Sequence, residues 1–117
     1  MSLNALEVAV YALVLMGSTP EPFSCEANPT GVRCSHGVAA FEGERHSILF
    51  SNGLRVIKGA DRSLSFSNGM TTRMDSAGWI QFSNGVGVRR ERPGRFKFSH
   101  DMVCEQVGEH GARCRKG

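Results

Sequence analysis

From residue 34 onward the chain repeats with a period of sixteen, and this periodicity limits its possible folds more than any other feature. Rows of sixteen begin CSHGV at Cys34, FSNGL at Phe50, FSNGM at Phe66, FSNGV at Phe82 and FSHDM at Phe98, and a sixth start, CRKG, follows at Cys114. No insertion separates the rows. Repetition at a fixed spacing implies copies of one supersecondary unit, each burying a face against the next.

Each row carries two turn signals. The first is Ser-Asn-Gly or Ser-His-Gly after the opening residue; the second is GERH from Gly43, GADR from Gly59, DSAG from Asp75, ERPG from Glu91 and VGEH from Val107. Two turns in sixteen residues leave about five residues for each of two strands, the common strand length. The unit is a β-hairpin and the expected fold is all-β, an antiparallel meander of about 10–12 short strands.

Side-chain faces decide the turn type. A two-residue Asn84-Gly85 loop would put Phe82 and Val86 on opposite faces, leaving neither face apolar. A three-residue loop, Ser83-Asn84-Gly85, pairs Phe82 with Val86 and Ile80 with Val88 on one side. The same choice aligns Ile48, Phe50, Leu54 and Val56, then Leu64, Phe66, Met70 and Thr72, then Phe96, Phe98, Met102 and Cys104. Gly53, Gly69 and Gly85 then occupy a site that requires positive φ. The other face carries Ser63, Ser65, Gln81, Arg95, Lys97 and Arg113, with Leu49 and Trp79 as apolar exceptions. One face is dry, and it must be covered by curling of the sheet into a barrel-like form, by the apolar N-terminal segment, or in a dimer.

The row containing WIQFSNG is similar to MORN-type repeats, which also set aromatic and Asn-Gly positions at a fixed period. The period here differs and the glycine and tyrosine pattern of those repeats is missing, so the resemblance implies no function.

The chain divides into an apolar segment, residues 1–20, and a single β-repeat domain, residues 21–117. ALEVAVYALVLM, residues 5–16, is too short to span a bilayer comfortably. It fits a signal-like hydrophobic stretch, although no Lys or Arg precedes it. It equally fits a packed helix with Asn4 as N-cap, Glu7 at the third helical position and Gly17 and Pro20 closing it.

Four cysteines fall in two close pairs at the ends of the array, Cys25 with Cys34 and Cys104 with Cys114. Such spacing suits disulfides that staple the first and last hairpins, and it favours an oxidising, extracytoplasmic compartment, periplasmic or secreted. Pairing Cys34 with Cys114 instead would mean that the sheet ends meet. The alternative is a zinc-stabilised module: His100, Cys104, His110 and Cys114 supply four ligand types that zinc accepts.

No catalytic constellation stands out. Nucleophile elbow and phosphate-binding glycine loop are both missing, and Asp61 and Asp75 occupy turns that favour aspartate for local hydrogen bonds. No cofactor is implied, and the chain is expected to be a non-catalytic binding or structural module. The net charge of +3 carries no specific nucleic-acid signal. The densest basic run, RRERPGRFK, makes Trp79, Arg89, Arg90, Arg92, Arg95 and Lys97 the candidate contact surface, suited to an anionic polymer, a glycan or a protein. A cytoplasmic interaction or inhibitor protein of phage or bacterial kind, with reduced cysteines, is the other class that fits.

Overall fold

In the computed structural model, which describes residues 4–16, 21–43, 47–59 and 64–117, the hairpin unit closes on itself. After helix α1 (Ala5–Met16) come twelve strands: β1 (Phe23–Asn28), β2 (Gly31–Cys34), β3 (Ala39–Glu42), β4 (Ser47–Phe50), β5 (Arg55–Lys58), β6 (Leu64–Phe66), β7 (Thr72–Met74), β8 (Ile80–Phe82), β9 (Gly87–Arg92), β10 (Arg95–Phe98), β11 (Met102–Val107) and β12 (Gly111–Lys116). All neighbours pair antiparallel in a single sheet, and the first strand pairs with the last, Phe23 opposite Cys114 and Cys25 opposite Ala112. At the other side of the ring β6 and β7 meet through one bridge, Ser65 with Thr71, and through Leu64 N–H donating to Thr72 Oγ1. The sheet is a nearly closed barrel.

The repeated turn has the three-residue form. Phe82 N–H donates to Val86 O and Gly85 N–H to Phe82 O, both at 2.9 Å, and Gly85 sits at φ +94°. Phe50, Phe66, Phe82 and Phe98 are all buried. In the last turn Asp101 takes the glycine position at φ +70°; aspartate, with its short polar side chain, tolerates that region better than most residues. The second turns at 43 and 59 fall partly outside the described residues, as do Asp61, Ser63, Gly17 and Pro20.

Serine has a role that face analysis alone does not show. Ser83 N–H donates to Thr71 O, and Thr71 N–H donates back to Ser83 Oγ at 3.0 Å. The same reciprocal pair joins Ser51 to Ala39, Ser67 to Arg55 and Ser99 to Gly87, each twelve residues apart. Each turn is thereby locked to the preceding repeat. Asn52, Asn68 and Asn84 accept a bond from the N–H two residues on, which holds the turn from within.

Helix α1 lies inside the barrel. Asn4 caps it by accepting from Leu6 N–H at 2.8 Å, and Val14 O at the far end accepts from Asn84 Nδ2 at 2.8 Å. Glu7 turns away from a capping box and pairs with Lys58 at 2.7 Å. Every residue from Ala5 to Val14 except Glu7 is buried, as a helix apolar on all sides requires. Curling and the N-terminal segment together cover the dry face. The wet face is less polar than the repeat suggests: Phe41, Leu49, Ile57 and Val107 are exposed on it, while Trp79 is half-buried.

A Cβ on Gly85 would meet no atom within 4 Å, so its replacement tests backbone conformation alone. Gly85→Val should lower unfolding free energy by about 1–3 kcal/mol, and Ser83→Ala by about 1 kcal/mol through the lost inter-repeat bond. Urea unfolding of the two variants measures this; a Ser83→Ala protein as stable as the parent would remove the proposed lock.

Candidate functional site

The two disulfides join Cys25 to Cys34 and Cys104 to Cys114, each between directly opposed residues of one hairpin. Closing loops of this length restricts the unfolded chain by about 3 kcal/mol apiece. The barrel closes without a Cys34–Cys114 link, by backbone pairing alone. With both sulfurs of its set in one disulfide, the His100, Cys104, His110, Cys114 arrangement is not available to a metal. The two histidines also lie at opposite ends of β11, and among the described residues no group of three or more His, Cys, Asp or Glu converges.

His36 and His100 occupy the turn position that Asn52, Asn68 and Asn84 hold elsewhere. The His36 ring stacks on Phe23 at 4.1 Å between centroids, and His100 lies 5.6 Å from Phe98. Their ring nitrogens are buried and have no hydrogen-bond partner among the described residues. Burial lowers both pKa values, with Asp101 opposing it at His100. The unfolded chain therefore takes up protons that the folded one refuses, and stability falls as pH drops below the unfolded value of about 6.5. His36→Asn restores the residue used in the other turns. It should raise stability relative to the parent at pH 5 and change it less at pH 8, as read by thermal unfolding at both pH values.

On the outer face the strand register assembles a basic and aromatic row. Ile80 is opposite Val88, and one residue further along that register Trp79 comes beside Arg89. Arg89 is directly opposite Lys97, Lys97 opposite Val103, and Val103 opposite Arg115. At about 4.8 Å per strand, Trp79, Arg89 and Lys97 span about 10 Å. The Asp75 carboxylate fixes the start of this row: it accepts from Trp79 N–H at 3.0 Å, Ala77 N–H at 2.9 Å and Gln81 Nε2 at 3.1 Å. These bonds, Gln81 foremost, hold the Asp75 carboxyl below the usual range.

The remaining candidates separate. Arg95 is tied to Glu105 at 3.0 Å and to Glu91 at 3.4 Å; Arg115 shares Glu105 at 3.3 Å. Burial pushes the Glu105 carboxyl up, but its bonds and charge contacts with Arg115 and Arg95 outweigh this and hold it low. Arg90 is opposite Phe96, in the phase of the inward-facing Val88, and Arg92 is opposite Arg95 past a bulge. Arg89 and Lys97 are exposed and have no ion-pair partner among the described residues. Arg113 and Arg115, which sequence proximity alone does not connect to RRERPGRFK, extend the same basic quarter through the outer face of β12. Residues 87–117 hold eight of the fourteen Lys and Arg but four of the eleven Asp and Glu.

Two open grooves flank this region, one of about 620 Å³ over β1, β2 and β12 and one of about 500 Å³ beside Asn4, Pro29 and His110. A smaller cavity of about 210 Å³ lies between the helix and the sheet. Among the described residues no helix is long and apolar enough to cross a membrane. The chain thus defines a disulfide-stabilised β-hairpin barrel around an internal helix. No protein-family model, curated protein or solved structure matches it.

Proposed function

We propose that the protein is an exported, non-catalytic binding module whose outer face at β8–β10 engages an acidic polysaccharide. The observation that carries this reading is the direct opposition of Arg89 and Lys97. Like charges facing each other across two strands weaken a sheet, so an unneutralised pair beside an aromatic ring has a cost in stability that anion binding would offset. Trp79 offers a ring for stacking on a sugar, and the two cations match carboxylate or sulfate groups spaced along a chain. Two disulfides agree with an oxidising compartment outside the cytoplasm.

Trp79 is the sole tryptophan, so its emission reports on this surface directly. Titration with heparin should change that emission saturably, and added salt should weaken the effect because the charges are solvent-exposed. Lys97→Glu should raise unfolding free energy by about 0.5 kcal/mol by giving Arg89 an opposite charge, and should abolish the heparin response. Arg55→Gln, on the outer face of β5, should leave both unchanged. A heparin response that survives Lys97→Glu would overturn the assignment. Export is tested separately by intact mass of the natively purified protein: no cysteine should react with an alkylating agent before reduction and all four should react after it.

A further inference from the structure

The helix is not centred in the barrel. It packs closely against β11, β12, β1 and β2, the wall that holds both disulfides. At 100° per residue Ala5, Val8, Ala9 and Ala12 form the face turned to that wall. Their small side chains permit the close approach. The opposite face, with Leu6, Val10 and Tyr11, is left standing off from β6, β8, β9 and β10, and the gap is the cavity of about 210 Å³ bounded by Leu64, Ile80, Phe82, Val88 and Phe96.

The gap is apolar apart from one end. There Tyr11 is only 8% exposed, its ring meets Phe66 edge-on at 6.2 Å, and no described residue hydrogen-bonds its hydroxyl. The hydroxyl is still reached by water, which a bound hydrogen-bonding group would replace. Glu7 also borders the cavity, with its charge held by Lys58. A negative ligand is therefore disfavoured beside Glu7, and a neutral one fits. Apolar cavities of about 150 Å³ are known to stay dry and take up benzene; this one has space for a fused bicyclic ring.

We propose that the cavity between α1 and strands β6, β8, β9 and β10 is a binding site for a small neutral aromatic molecule carrying one hydrogen-bonding group, with Tyr11 Oη as its polar anchor. Tyr11, Phe82 and Phe96 line the cavity and supply edges and faces for the ring. The cavity opens towards the end of the barrel where Asn4 is exposed and Leu64, Ile80 and Phe96 are only half-buried. This site is independent of the outer basic row.

Indole and benzene, titrated into the full-length protein by calorimetry and by chemical-shift perturbation, test the proposal. Indole should bind saturably, with the largest shifts at Val10, Tyr11, Phe82 and Phe96. Tyr11→Phe should weaken indole about tenfold, the value of one buried hydrogen bond, and leave benzene unchanged. Val10→Phe, which fills the gap, should weaken both ligands while unfolding cooperatively like the parent. The proposal is overturned by a parent protein that binds neither ligand, by shifts confined to the outer face, or by a Tyr11→Phe protein that loses benzene as strongly as indole.

Discussion

The structure depends on a hydrogen-bonded lock between repeats. Ser51, Ser67, Ser83 and Ser99 each bond in both directions with the residue twelve positions earlier, so one hairpin is fixed in register against the previous one. A slip by one residue would turn every side chain to the other face. With a local lock at each of these joints, the sixteen-residue period becomes a constant angular step around the barrel. Phenylalanine at the same phase then meets the helix from successive sides.

Two joins in the ring lack that support in full. At β1–β12 the chain ends meet by backbone pairing, and the hairpins on either side of the seam are the ones stapled by disulfides. Rigid neighbours favour a seam that has no covalent link of its own. At β6–β7 only Ser65 and Thr71 form a bridge, and the opposed residues Phe66 and Met70 turn inward beneath it. The helix draws the two halves together through Glu7 with Lys58 on one side and Val14 with Asn84 on the other. It thereby substitutes for strand pairing that the sheet lacks at that place.

Much of this was legible in the residues. The hairpin unit, the three-residue turn, the inward phenylalanines and the sequential cysteine pairs all follow from periodicity, because a hairpin register is a local property of a few consecutive residues. The serine lock was not legible, since its partner is defined only once neighbouring hairpins are placed. The basic cluster was legible only in part. Arg89 and Lys97 share a row, but Arg90 belongs to the opposite phase and Arg95 is occupied by Glu105 and Glu91, distinctions that arise from a bulge and from a cross-strand carboxylate. Sequence proximity grouped residues that the pleat separates, and it left out Arg113 and Arg115, which the barrel brings alongside.

The sequence by itself determined the repeating unit, its turn and its apolar face, because those rest on steric limits at glycine and on the two-residue alternation of a strand. Tertiary structure alone decided where the apolar N-terminal segment goes. Its composition suits a membrane-directed leader and a buried helix equally, and only a curled sheet with an unfilled interior makes the second arrangement favourable. The tertiary structure also decided that the small-residue face of this helix meets the disulfide wall. The cavity beside Tyr11 follows from that eccentric packing, and no local pattern in the sequence encodes it.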